Sequence, residues 1–308
     1  MANSVIKVDQ SLMSEMNKYY LKQTADKTPP GAVFSAKTAN CTITAYKSGK
    51  VLFQGSGAEQ EAAKWGKEEK KDVKAKKPVN SIYAPPPNIS SLSVIGSDEV
   101  GTGDFFGPMT VVSAYVKKEQ IPLLQELGVK DSKNLTDPQI VRIAKDIIKI
   151  IPYSLLILHN EKYNELQAKG MSQGKMKGLL HNQAIQLLSK KIAPEKPDAI
   201  LIDQFAEPGV YFNYLKGEKF TTENTYFSTK AESVHIAVAA ASIIARYSFV
   251  KEFEKLSLSA GTTLPKGAGA KVDQAAAEII NKKGISYLHT ITKKHFANTE
   301  KAMRLAGK

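Results

Sequence analysis

Two adjacent carboxylates, Asp98 and Glu99, sit inside residues 92–108, which read LSVIGSDEVGTGDFFGP. An apolar run at 92–95 leads into the pair. Gly101, Thr102 and Gly103 follow it, and a second apolar run occupies 109–116. Carboxylates at the end of a buried strand offer hard oxygen donors to a divalent cation, and neighbouring glycines let a polyanion approach the main chain closely. That is the chemistry of a metal-dependent nuclease. An ordinary solvated turn would also carry an Asp-Glu pair. A dinucleotide-binding turn does not fit, because it needs G-x-G-x-x-G opening a helix. Here Gly107 falls one place late, and Pro108 and a β-type run follow.

Two more acids share the setting. Asp203 closes the apolar run at 199–202, and Glu232 lies between a short β-type run at 225–228 and a long apolar segment that starts at 234. Functional groups of open α/β sheets gather at strand ends. Carboxylates clustered there repel one another unless a cation joins them. Asp98, Glu99, Asp203 and Glu232 together suit two Mg²⁺ or Mn²⁺ ions about 3.5–4 Å apart. One condition attaches. Strand neighbours face opposite sides, so Asp98 and Glu99 share a site only if the strand ends or twists at Gly101 and Gly103. Other chemistries lack their parts. There is no Cys/His cluster for zinc, no G-x-S-x-G elbow, and no P-loop spacing at 267–271. His181, His235 and His295 read as structural residues.

The elements that must position these acids belong to a chain of 308 residues with net charge +13 and a pI near 9.4. Such an excess favours polyanionic partners, nucleic acid first, although a merely basic protein shares it. The single cysteine, Cys41, rules out an intramolecular disulfide and suits a reducing compartment. No signal peptide or membrane span is evident, so a cytoplasmic location with no membrane and no obligate protein partner is expected. Residues 1–66 read as α-β-β-β-α, an antiparallel sheet with helices on one face. Thr42, Thr44, Tyr46, Lys47 and Lys50 fall on or near the other face, where they could meet a nucleic-acid backbone or only water. Residues 67–90 are lysine-rich and then proline-rich, a linker composition. Residues 91–308 alternate strand and helix. A helix over 174–192 carries Lys175, Lys177 and His181 on polar positions, and Met176, Phe249 and Phe253 read as core.

The runs GSDEVGTGDFFGP, GVKDSKNL, KMKGLLHNQA, ILIDQF, KAESVHIAVAAASIIARYSF, PKGAG and KHFANT occur in this order over nearly the whole chain. Together they resemble the bacterial ribonuclease HIII family of type 2 ribonucleases H. KSGKVLFQG resembles the small TATA-binding-protein-like domain that separates this family from ribonuclease HII. GTG stands where ribonuclease HII usually has GRG. The resemblance implies a ribonuclease H-like mixed sheet flanked by helices, with a small N-terminal α+β domain. It implies endonucleolytic hydrolysis of the RNA strand of an RNA–DNA hybrid, giving 5′-phosphate and 3′-hydroxyl ends. The family's catalytic and metal-binding acids fall on Asp98, Glu99, Asp203 and Glu232, the last being Glu where ribonuclease HII has Asp. Thr102, Ser132 and Lys133 match substrate-touching positions, and the backbone at Gly101, Thr102 and Gly103 is the candidate sensor of the 2′-hydroxyl. A non-catalytic hybrid-binding module and a DNA-cutting relative, such as an integrase or resolvase, stay open as alternatives.

Overall fold

The computed structural model describes residues 3–24, 28–29, 31–66, 82–130 and 132–307; most of the expected linker, residues 67–81, lies outside them. The chain divides into two compact units, Met1–Asn80 and Ser81–Lys308.

The first unit contains β1 (Asn3–Lys7), α1 (Gln10–Tyr19), β2 (Ala32–Lys37), β3 (Thr42–Tyr46), β4 (Lys50–Gln54) and α2 (Ala58–Ala63). The strands form an antiparallel sheet in the order β1-β4-β3-β2. β1 is absent from the α-β-β-β-α expectation. It is a short edge strand with only Ser4 and Ile6 buried, too little apolar periodicity to register in a sequence. Ile6, Phe34, Ile43, Ala45, Val51 and Phe53 turn inward against Met13, Met16 and Tyr20. The Tyr20 hydroxyl donates to Glu61 and accepts from the Trp65 ring N–H, which closes the C-terminal end of α1 onto α2. Opposite the core, Lys37, Thr42 and Gln54 share one cross-strand row, and Lys7 pairs with Lys50. Tyr46 is half-buried, and Lys47 and Lys50 are exposed. Thr44 departs from expectation. It is only 4% exposed, crowded by its cross-strand neighbours Ser35 and Leu52.

The second unit is built on a five-stranded sheet in the order β7-β6-β5-β8-β9. Its strands are β5 (Val94–Val100), β6 (Met109–Val116), β7 (Tyr153–Leu158), β8 (Ala199–Asp203) and β9 (Thr225–Ser228). β5, β6 and β7 run antiparallel in succession, whereas β8 and β9 lie parallel to β5. The helices are α3 (Ile121–Glu126), α4 (Asp137–Ile147), α5 (Asn160–Ala168), α6 (Gln173–Ile192), α7 (Pro208–Tyr214), α8 (Ile236–Ala260), α9 (Ala270–Ile291, broken at Gly284) and α10 (Asn298–Leu305). α4 and α8 pack on one face of the sheet, α6 and α7 on the other.

α8 decides where the site forms. Its first turns are Ala237, Val238, Ala239, Ala240 and Ala241, all buried, and they let its backbone lie against β5. At the contact β5 carries Gly96, where any Cβ would stand 2.3 Å from the carbonyl carbon of Ala237. A side chain there would push the helix off the sheet. His235 starts the helix. Its Nδ1 accepts from the Ala237 N–H at 3.0 Å and its Nε2–H donates to the Leu92 carbonyl at 3.2 Å. Burial lowers its pKa to about 4, so the ring is neutral in this role. Among the described residues no helix is long and apolar enough to cross a membrane.

Candidate active site

The register of the parallel strands brings two distant acids together. Val94 pairs with Ala199, and the match runs to Ser97 with Ile202. One step further along the same register stand Asp98 and Asp203, side by side on strands about 4.8 Å apart. Asp203 Oδ1 accepts the Ala231 N–H at 2.9 Å. That bond ties it to the short 3₁₀ turn Ala231–Ser233, which carries Glu232.

β5 does not end at the acidic pair; it continues through Val100, so Asp98 and Glu99 point to opposite faces. Both nevertheless line one cleft, together with Gly101, Thr102, Gly103, Asp203, Ser132, Lys133 and Ser242. The cleft opens where β5 loses β8 as a partner, so a residue on either face reaches it. Glu232 is not among its lining residues. Its carboxylate is 4% exposed and meets the cleft through Lys133, whose Nζ lies 2.8 Å from Glu232 Oε1. Glu232 Oε2 is buried without a hydrogen-bond partner.

The carboxylates act on one another. Burial, reinforced by the charges of Glu99 and Asp203, pushes Asp98 up to about 8, although Ser242 and the Glu99 N–H donate to it. Burial also raises Asp203, and the charges of Glu232 and Glu99 add to the effect. Glu99 behaves in the opposite sense. Burial alone would raise it, but two basic side chains of α6 outweigh that and hold it at about 2. His181 Nε2 lies 3.0 Å from Oε2, and Lys177 Nζ lies 2.9 Å from Oε1. His181 is fixed from behind by Ser97 Oγ at 2.7 Å, and Phe205 stacks on its ring and takes the Lys177 ammonium over its face.

These contacts correct the placement of Lys177 and His181 on a polar helix face. His181 is wholly buried and Lys177 nearly so, because both point at the sheet end rather than at water. They lie four residues apart on one helix face, and that spacing beside a motif rich in acids was the available signal. Ser242 is a further participant. Its hydroxyl receives a hydrogen bond from Ser132 at 2.7 Å and donates to Asp98. His235 caps α8 and His295 stacks on Tyr163.

The glycine turn is rigidly seated. Gly101 has φ +94°, and a Cβ there would lie 2.3 Å from the Pro108 carbonyl oxygen, so only glycine fits. The Thr102 carbonyl accepts from Gln173. Lys293, fully buried, donates to the carbonyls of Asp104 and Gly107 and fixes the far side of the loop. Met176, Phe249 and Phe253 are buried core residues, as expected.

The cleft's donors suit hard divalent ions. They are carboxylate oxygens of Asp98, Glu99 and Asp203, two of them on groups whose charge is opposed by their neighbours, and next to the cleft Glu232 holds a buried Oε2 without a partner. As the side chains stand, no three His, Cys, Asp or Glu among the described residues form a ready-made cage. Lys133 and Lys177 each hold one oxygen of Glu232 and Glu99.

A mixed sheet with acids at its parallel strand ends defines a class, and sequence comparison gives the same class. Residues 95–299 match the family model described as Ribonuclease HII, and residues 3–78 match one described as Domain of unknown function (DUF3378). Ribonuclease HIII of Bacillus subtilis (strain 168) is 64% identical, covering 100% of this chain and 99% of its own. Ribonuclease HIII of Bacillus licheniformis is 60% identical, covering 100% of both. A crystal structure of Bst-RNase HIII in complex with Mn²⁺ is 47% identical with TM-score 0.69, covering 99% of each chain. The chain belongs to the ribonuclease HIII family, within the ribonucleases H of type 2.

Proposed function

We propose that this metal-dependent ribonuclease H cuts the RNA strand of RNA–DNA hybrids through two Mg²⁺ or Mn²⁺ ions held by Asp98, Glu99, Asp203 and Glu232. The observation that carries the proposal is the strand register that sets Asp98 beside Asp203, with each carboxyl raised by burial and by neighbouring acids. Bound there, such ions supply Lewis acidity and offset charge on the phosphoryl group. In the hydrolysis, a water oxygen bonds to phosphorus and the P–O3′ bond breaks. The 3′ oxygen takes a proton, so the products carry 5′-phosphate and 3′-hydroxyl ends.

The chain's own groups divide the remaining work. Glu99 stays ionised because Lys177 and His181 hold both of its oxygens. Ser242 orients Asp98, and the Ala231 N–H orients Asp203. The backbone at Gly101, Thr102 and Gly103 presents the turn that senses the 2′-hydroxyl, which DNA lacks. Ser132 and Lys133 meet the phosphate backbone at the cleft. In the N-terminal domain, residues 1–66, the exposed Lys47 and Lys50 and the half-buried Tyr46 add contacts to more distant phosphates. Residues 67–90 link this domain to the catalytic domain, residues 91–308.

Labelled RNA–DNA hybrid, duplex DNA, duplex RNA and a duplex with one embedded ribonucleotide, each with Mg²⁺ and with Mn²⁺, test the proposal. Cleavage confined to the RNA strand of the hybrid, with poor cutting at the single ribonucleotide, is the expected result. Cleavage of duplex DNA would favour the resolvase alternative. Tight hybrid binding without any cleavage would favour the binding module.

A further inference from the structure

The carbonyls of Asp104 and Gly107 lie in the loop beyond the last β5–β6 pair, Val100 with Thr110, so the ladder gives them no donor. Lys293, just past the end of α9, serves both with one amino group. Its Nζ donates to the Asp104 carbonyl at 2.8 Å and to the Gly107 carbonyl at 2.6 Å, and its main-chain N–H donates to the Phe105 carbonyl at 2.9 Å. The Gly107 N–H returns a bond to the Ile291 carbonyl at 3.0 Å. Residues 104–107 are thus held by a segment that lies 189 residues further along the chain from Asp104. The other end of the turn is fixed separately, at Gly101 with φ +94° and no room for a Cβ. Only Thr102 and Gly103 stand between the two anchors, and both line the cleft with Asp98 and Asp203.

From this geometry we infer that Lys293 is a positioning residue for ribose selection: by holding the Asp104 and Gly107 carbonyls it sets the backbone of Gly101, Thr102 and Gly103 that meets the 2′-hydroxyl. The inference rests on the proposed role of that turn. A wholly buried amino group is costly unless its hydrogen bonds are made. An apolar side chain would fill the same space without that cost, but it would leave both carbonyls without this donor. Burial lowers the pKa of Lys293 to about 7, against the pull of the Asp104 charge. The ammonium and the neutral amine both carry the two N–H bonds that the carbonyls use, so the clamp holds in either form. Its action is geometric. Lys293 shapes the turn from behind and leaves substrate contact to the turn itself.

Lys293→Met and Lys293→Gln form a matched pair, because the two side chains are equal in length and only Gln donates. Lys294→Met, at the exposed neighbouring lysine, controls for loss of a positive charge. Each full-length protein is assayed with Mn²⁺. Single-turnover cleavage is measured at one mapped bond of an RNA–DNA hybrid, then with the nucleotide on the 5′ side of that bond changed to its 2′-deoxy form. The readout is the ratio of the two rates. A partly unfolded enzyme lowers both rates and leaves their ratio alone. Lys293→Met is expected to cut the all-ribose strand about ten- to a hundredfold more slowly than wild type, with the ratio at least about tenfold smaller. Lys293→Gln is expected to fall between that variant and wild type, because its amide donates but stops one atom short of the lysine nitrogen. Lys294→Met should match wild type. A wild-type ratio in either Lys293 variant, or equal losses in both, would overturn the positioning role while leaving the reading of the turn intact. A ratio near one in the wild-type enzyme would overturn the reading of the turn and the inference together.

Discussion

Asp98 and Glu99 are neighbours in the chain and opposites in their surroundings. On the α8 face, the charge of Asp203 acts on Asp98 and that of Glu232 acts on Asp203, and Asp98, raised first by burial, is pushed up to about 8. On the α6 face, Glu99 lies between Lys177 and His181 and is held at about 2. Strand alternation alone sorts the two residues onto these faces. One face stores repulsion that a cation relieves. The other holds a carboxylate already oriented and ionised. In the proposed metal-binding reading, the ions would meet acids that gain from them on one side and an acid already held ionised on the other.

The contrast predicts different outcomes for removing charge on each face. The largest effect is expected for Asp98→Asn, with cleavage of hybrid falling by about a thousandfold or more while hybrid binding persists. Because repulsion is removed, its thermal midpoint in chelator should match or exceed wild type. A lowered midpoint would show that Asp98 is structurally supported rather than strained. Next in size is Lys177→Met, which leaves Glu99 buried beside His181 alone. Breaking such a pair costs about 3 kcal/mol, measurable by chaotrope unfolding. A loss below 1 kcal/mol would mean that water already screens the pair.

A third expectation concerns pH. His235 at the start of α8 has a folded pKa of about 4, below its ordinary 6.5. Between those values the unfolded chain binds the extra proton, so the residue's contribution is complete above pH 6.5 and is lost as pH falls towards 4. The loss amounts to about 3 kcal/mol. His235→Asn keeps a helix-capping side chain and should flatten that part of the stability–pH curve relative to wild type. An unchanged slope would refute the neutral cap. The smallest effect belongs to the other compact unit. Replacing Lys47 and Lys50 by Ala should weaken hybrid binding a few-fold and lower the salt slope by about two phosphate contacts. If the slope measured across a salt series does not move, those lysines face only solvent.

Much of the second unit was legible because its strands are bounded by sharp compositional edges. β6 at Met109–Val116, β7 at Tyr153–Leu158 and β9 at Thr225–Ser228 follow directly from apolar runs closed by Pro, Gly or charge. The approach of Asp98 to Asp203 had a related signal, because each follows an apolar run that becomes one of two paired parallel strands. What sequence did not reveal depended on packing between elements. β1 has too few apolar residues to announce an edge strand. Thr44 is buried by Ser35 and Leu52, which become its neighbours only through register. Lys177 and His181 look like the solvent side of α6 until the sheet end is placed beneath them. Asp98 and Glu99 were expected to need the strand to end or twist beside them, and β5 does not end there. They share the cleft instead because β8 stops pairing one residue before them.

Anomalous diffraction at the manganese edge, on crystals of the full chain soaked in Mn²⁺, tests the central claim most directly. A peak within about 2.1 Å of an Asp98 oxygen, with Asp203 or Glu232 in the same coordination shell, is the predicted result. Manganese bound elsewhere, with Asp98 and Asp203 both outside its shell, would contradict it.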